Sequence, residues 1–202
     1  IPRDTRTEIV GRGTGDKINH AYAFGGTEMT IDTVENFLDI PIDYFVEINM
    51  EGFEDIVNAI GGITVNNTLD FTYKGKHFAE GQITLNGEEA LLYSRMRKQD
   101  PQGDFGRQAR QRKVIEAIIK KGATISSLTN YSDIFDALGK NIETNLSFKD
   151  MSRLLKNYRN ASKSIEELTI DGSGKKIGGI YYYVVPDQEK ERIHTELDEH
   201  LQ

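Results

Sequence analysis

The chain of 202 residues contains no cysteine, which excludes a disulfide framework and any thiolate chemistry. No apolar run approaches the roughly 20 residues that a membrane-spanning helix needs. No signal peptide opens it; Ile1-Pro2-Arg3-Asp4 reads instead as a strand running into a loop, as in the interior of a longer chain. Low-complexity runs, internal repeats and linkers are missing too. With 37% hydrophobic and 28% charged residues the composition is that of a globular chain, and the length suits one domain over residues 1–202.

Several chemistries lack their residues. The four histidines, His20, His77, His194 and His200, have no metal-ligating partner at useful spacing. No Gly-x-Ser-x-Gly elbow is present. Asp171-Gly-Ser-Gly-Lys175 lacks the spacing of a phosphate loop and reads as a hairpin turn.

What the chain does have is a basic island. From Arg95 to Lys113 it carries five arginines and two lysines against two aspartates, a local charge of +5 in a chain of net charge −7. Nucleic-acid binders carry a spread basic surface; a compact arginine cluster suits a smaller polyanion, a phosphate or pyrophosphate with a metal ion. Asp104 sits where a helix begins, favoured near its N-terminus, and the helix runs to about Gly122. At about 100° per residue, Asp104, Arg107 and Gln111 share the stripe of Val114, Ile115 and Ile118, while Arg112 and Lys113 face water. Charges on an inward stripe need partners. Either they form an internal salt-bridge network or they receive an anion; with Arg95 and Arg97 upstream, two aspartates are too few to neutralise the group.

The rest reads as alternating helices and strands. Ile18–Phe24 is helical and stops at Gly25-Gly26; a second helix runs from Thr27 to Ile40. Asp43–Met50 is a strand with Tyr44, Val46, Ile48 and Met50 on one face, Glu51–Ile60 a helix, and Ile63–Val65 a strand. Residues 66–85 form an accessory region, with a hairpin over Leu69–Phe78 and a return at Ile83–Leu85. Asn86 and Glu89 form a capping box. Helices follow over Ile125–Leu138 and Phe148–Tyr158, the latter capped by Ser147. Ile165–Ile170 and Ile180–Val185 are strands around a Gly-rich loop, and Pro186-Asp187 opens a terminal helix. Such alternation predicts an α/β fold with helices on both faces of a sheet.

Three segments, in order, carry a family resemblance: Ile1-Pro-Arg-Asp-Thr5, Lys17-Ile-Asn-His-Ala-Tyr-Ala-Phe-Gly-Gly26, and Ser94-Arg-Met-Arg97 followed by Asp104-Phe-Gly-Arg-Gln-Ala-Arg-Gln111. They resemble the LytR-CpsA-Psr family, and most closely its Gram-positive members that attach wall teichoic acid to peptidoglycan. The resemblance covers roughly the first 119 residues. It implies a three-layer α-β-α sandwich with a central mixed sheet. It implies a phosphotransferase that moves an anionic glycopolymer from undecaprenyl pyrophosphate to a muramic acid hydroxyl of peptidoglycan, releasing undecaprenyl phosphate, on the extracytoplasmic face of the cell membrane. Arg3, Arg95, Arg97, Arg107 and Arg110, with Gln111, map to the family's pyrophosphate-binding residues. Asp104 and Arg107 map to its catalytic segment, Asp104 orienting an arginine or assisting proton transfer, and Lys17 is a further match. Magnesium bridges the pyrophosphate in the family, held partly by aspartates upstream of Ile1; a membrane anchor is expected on the same side. The polyprenyl chain lies in an apolar tunnel, for which Val34, Phe37, Leu38, Val114, Ile115 and Ile118 are candidate linings.

Phosphoryl transfer fits these residues, since it asks of the protein mainly positioning and charge compensation. Two rivals stand. A hydrolase of pyrophosphate-linked lipids or nucleotides would use the same electrophile with water as acceptor. A DNA-binding regulator would need a basic face, against which the net charge and the inward arginines argue, so no nucleic-acid partner is expected.

Overall fold

The structure is a computed structural model that describes residues 1–123, 139, 141–158 and 165–201; the helix expected over 125–138 lies outside them. The chain divides into two compact units, one formed by Ile1–Asp43 with Glu166–Gln202 and the other by Tyr44–Ile165.

In the first unit, β1 (Arg6–Ile9) and β2 (Thr14–Lys17) form an antiparallel hairpin with Arg6 opposite Lys17. Helix α1 (His20–Leu38) is kinked at Gly25 and Gly26, where the dihedrals leave the helical region, so the two helices read from the sequence meet at a bend. A second hairpin and the last helix come from the chain's other end. Strand Ser173–Ile177 pairs with strand Ile180–Val184, and helix Asp187–Leu201 follows. A parallel bridge between Thr5 and Tyr183 joins the hairpins, supported by Tyr183 N donating to Asp4 O at 2.8 Å; strand pairing here is therefore mixed. Phe37, Leu38, Ile18, Tyr183, Val185 and Ile193 form the core.

The strand expected at Ile165–Ile170 is absent; its place is taken by Ser173–Ile177. Gly178 and Gly179 carry φ of 58° and 82°, the left-handed pair that a two-residue hairpin turn requires. The turn thus lies later than Asp171–Lys175 and draws the polar residues before it into a strand.

In the second unit, β3 (Val46–Ile48) pairs with Ile142–Thr144. It is shorter than expected because Asn49 caps the next helix, α2 (Met50–Ala59), by accepting from Gly52 N at 2.8 Å. Strand β4 (Ile63–Asn67) pairs with β7 (Gly81–Leu85), enclosing the expected hairpin of β5 (Phe71–Tyr73) and β6 (Lys76–Phe78). Helix α3 (Gly87–Arg95) opens on the Asn86–Glu89 capping box, and α4 (Asp104–Ala123) follows a short loop. Helix Phe148–Tyr158 begins at Ser147, whose hydroxyl accepts from Asp150 N. The core joins Val57, Ile63, Val65, Phe71, Phe78, Leu85, Leu92, Tyr93, Met96 and Val114. Within it Phe71 stacks on Phe78 and on Tyr93 at 4.8 and 5.9 Å, and Phe78 is tilted against Tyr93 at 5.7 Å.

Asn67 knits this core to its loops. Its amide nitrogen lies 2.6, 3.1 and 2.8 Å from the carbonyls of Leu69, Phe78 and Ala79, and its Oδ1 accepts from Tyr93 Oη at 3.3 Å. Asn67→Leu keeps the branched shape but leaves those groups unpaired, and should destabilise the protein by at least about 1–3 kcal/mol in urea unfolding; a loss below about 1 kcal/mol would show that the amide's bonds are dispensable.

The last helix is tied to its hairpin through Glu189, which pairs with Arg192 at 2.6 Å and accepts from Asp171 N at 2.8 Å. These bonds, led by the Arg192 hydrogen bond, hold its carboxyl at about 2, below an ordinary 4.5. A carboxyl depressed in the folded state adds stability above about pH 4.5, and that share is lost as pH falls toward 2. Glu189→Gln should therefore shrink the fall in Tm between pH 5 and pH 3 measured by calorimetry; an unchanged fall would discount the pair.

Candidate functional site

The basic island lies wholly in the second unit, where α3 ends and α4 begins. The capping box fixes the start of α3, and Leu91, Leu92 and Tyr93 bury its far end. Arg95, the helix's last residue, and Arg97, just beyond it, are therefore exposed. Asp100 N bonds to Arg97 O at 3.2 Å and Gly103 N to Asp100 O at 2.9 Å, so the loop turns tightly into α4. An open cleft of about 710 Å³ forms there, lined by Tyr73, Arg95, Arg97, Lys98, Asp100 and Arg107 together with Met96, Gln99 and Gly103. The structure thus brings three of the expected arginines, Arg95, Arg97 and Arg107, to one depression.

Asp104 organises two of them. Its Oδ1 is 2.5 Å from a terminal nitrogen of Arg107 and 3.5 Å from Arg97 Nε, and its Oδ2 accepts from Gln108 Nε2 at 3.0 Å. Oδ2 is thus hydrogen-bonded within the protein, whereas Oδ1 is buried against the two guanidinium groups as an ion pair and makes no hydrogen bond among the described residues. Arg107 Nε is buried and has no hydrogen-bond partner among the described residues. A guanidinium so placed has donor capacity left over, unlike one saturated by an internal network.

Arg110 behaves differently. Its side chain is buried, and its donors go to Tyr93 O (Nε, 3.1 Å), to Met96 O and to the Asp100 carboxylate. The guanidinium lies 5.5 Å from the Phe71 ring and 5.9 Å from that of Tyr93. Burial pushes the Tyr93 hydroxyl's pKa up, with the Arg110 charge opposing. Arg110 thus faces the core, which corrects the reading of the helix face. The buried stripe of α4 runs through Gly106, Arg110 and Val114, while Gln111 and Ile115 are exposed. The stripe taken as inward was turned by about one residue, because the apolar Ile115 was assigned to the core. Lys113, expected in water, donates to Asn66 O at 3.1 Å and lies 3.3 Å from the Thr68 hydroxyl.

Arg3 and Lys17 belong to the first unit. Asp4 Oδ1 lies 3.0 Å from Lys17 Nζ and 4.0 Å from Arg3 Nε. Nearby, Asp16 bonds to His20 Nδ1 at 2.8 Å. Burial raises its pKa, but the bonds from His20 and from Lys17 N prevail and hold it below the usual carboxylate value. Of the candidate tunnel residues, Phe37 and Leu38 are in the core of the first unit with Val34 against it. Val114 is in the core of the second, with Ile118 packed on it.

Among the described residues no three histidine or acidic side chains converge as a metal site. No helix among them is long and apolar enough to cross a membrane. Asp100 is the site residue that sequence reasoning left unassigned. No local pattern marks it, because its partner Arg110 lies ten residues away on the next helix.

The chain is similar to known proteins in sequence and in fold. A Bacillus subtilis protein, polyisoprenyl-teichoic acid–peptidoglycan teichoic acid transferase TagU, is 57% identical over the whole of this chain, which spans 66% of its length. The crystal structure of B. subtilis TagU superposes with a TM-score of 0.82 at 55% identity, covering all of this chain and 84% of that one. A structure from Enterococcus faecalis described as a transcriptional regulator has a TM-score of 0.93 at 43% identity, over 100% of this chain and 75% of that one. TagT bound to LIIa-WTA gives 0.87 at 39% identity, over 98% and 76%. The chain spans about two thirds of the length of the curated relatives it matches. The model of the LytR_cpsA_psr family matches residues 1–199, and with relatives at this identity over its full extent, the chain belongs to that family.

Proposed function

We propose that this chain carries the catalytic site of a transferase that moves a teichoic-acid-type glycopolymer from a polyisoprenyl pyrophosphate carrier to peptidoglycan. The observation that carries the reading is the cleft at the α3–α4 junction, where Arg95, Arg97 and Arg107 surround a space of about 710 Å³. The relatives named as teichoic acid transferases supply the substrate class. The acceptor sets the place of action: peptidoglycan lies on the extracytoplasmic side of the membrane of a Gram-positive cell.

In this reading the cleft receives the pyrophosphate. A peptidoglycan hydroxyl oxygen attacks the phosphorus next to the polymer, and the bond from that phosphorus to the bridging oxygen breaks. The polymer ends as a phosphodiester on peptidoglycan, the carrier leaves as polyisoprenyl phosphate, and the hydroxyl proton is released. Arginine forks suit non-bridging phosphate oxygens because they offer two parallel donors and stay charged. Arg97 and Arg107 take this role, while Asp104 holds both in place. Because the Asp104 carboxylate is ion-paired to Arg107 and Arg97, orienting suits it better than accepting the proton. The arginines converge on one depression rather than spreading over a face, which favours a compact polyanion over a nucleic acid.

Arg97→Ala or Arg107→Ala should weaken calorimetric binding of farnesyl pyrophosphate by about 10- to 150-fold, the loss of one charge-assisted contact. Arg112→Ala, on the exposed face of α4, should leave binding within about twofold, below the weight of one such contact. Equal losses at Arg107 and Arg112 would remove the cleft from the mechanism.

In the full-length enzyme, assayed for polymer transfer, Asp104→Asn should lower substrate binding and turnover together. Lost turnover with binding retained would instead make Asp104 the proton acceptor. Release of free polymer with peptidoglycan present would show that water is the acceptor and the enzyme a hydrolase.

A further inference from the structure

Arg110 is buried below the arginine cleft, and its three contacts fall at regular places along the chain. It bonds to Tyr93 O in the last turn of α3, to Met96 O where that helix ends, and to Asp100 in the following loop. Arg95 and Arg97 lie between those points. The Arg110–Asp100 pair is sealed, with each side chain 6% exposed. Asp100 closes the loop further, since its Oδ1 accepts from Gln102 N at 2.7 Å and its carbonyl from Gly103 N.

One more residue makes the pair possible. A Cβ at Gly106, on the same buried stripe of α4 as Arg110, would fall inside the Asp100 carboxylate. The helix must present hydrogen there so that the carboxylate can reach across to the guanidinium. We propose that Gly106, Asp100 and Arg110 form a positioning device that sets the backbone carrying Arg95 and Arg97, and that Arg110 itself does not touch the anion. This deepens the reading of the cleft as a pyrophosphate site and rests on it. The device reassigns Arg110 from ligand binding to support. It also names Gly106 and Asp100 as positioning residues for the transfer, although neither faces the substrate with a free donor.

Breaking a buried ion pair also costs stability, so the test needs a readout that instability does not move. Farnesyl pyrophosphate binding is measured by calorimetry, below the melting temperature of each variant, in a double-mutant cycle. Gly106→Ala and Asp100→Asn should each weaken binding about tenfold, the scale of one charge-assisted contact. In a background carrying both Arg95→Ala and Arg97→Ala the same two changes should cost less than about twofold, because the residues they position are gone. Equal losses in both backgrounds would mean that the pair acts on the anion independently of Arg95 and Arg97, and would overturn the proposal. So would tenfold-tight binding retained in either folded variant.

A measurement on the unaltered protein covers variants that fail to fold. As farnesyl pyrophosphate is titrated, the Nε–H resonances of Arg97 and Arg107 should shift while that of Arg110 stays in place. A shift of the Arg110 resonance as large as that of Arg97 would make it a ligand-binding residue and end the proposal. If Arg97→Ala alone leaves binding unchanged, the pyrophosphate reading of the cleft fails. If Arg97→Ala weakens binding but the cycle shows no coupling, that reading stands and the positioning device does not.

Discussion

The guanidinium of Arg110 is the interaction on which the second unit's chemistry depends. A buried charge is tolerated only when it is paired and hydrogen-bonded. Here it meets one carboxylate and two carbonyls left over at the end of α3. The last carbonyls of any helix lack an intrahelical partner. Those of α3 find theirs in a side chain from α4, so satisfying the helix end and fixing the angle of the next helix are one event. The exposed arginines inherit their position from that arrangement.

The arginines of the island therefore divide into two kinds. Arg110 is consumed by the protein. Arg95, Arg97 and Arg107 border the cleft, with one carboxylate, Asp104, between the last two. Because Asp100 is spent on Arg110, the second aspartate of the island cannot neutralise the cleft. A sequence count of charges sees seven cations and two anions; the structure shows which of them cancel.

Much of this was legible in the sequence. The capping box at Asn86, the hairpin at Lys74-Gly75 and the start of α4 at Asp104 each rest on local chemistry, and local chemistry does not wait for the fold. The phase of α4 did not follow from it. Hydrophobic periodicity places Ile115 inside and leaves Arg110 off the inward stripe; burial reverses both, because Arg110 pairs there with Asp100 and two carbonyls at the end of α3 while its guanidinium lies against the Phe71 and Tyr93 rings. Ser173–Ile177 was hidden for a related reason. Every residue of that strand is exposed, so no alternation marks it, and the hairpin register with Ile180–Val184 defines it. The hairpin of β1 and β2 likewise went unread. In the site, the residue left unread was Asp100, whose role exists only once Gly106 faces it.

A cleft whose cations outnumber its carboxylates also ranks the anions that reach it. Coulomb attraction grows with the charge a ligand brings. A phosphodiester linkage presents one charge, whereas a pyrophosphate diester presents two on adjacent phosphorus atoms. Crowded by a polyanionic polymer, such a cleft favours the one doubly charged joint at the polymer's end over its singly charged links. In the proposed transfer, the cation excess left by the Asp100–Arg110 pair is what would let the cleft find the end of the chain.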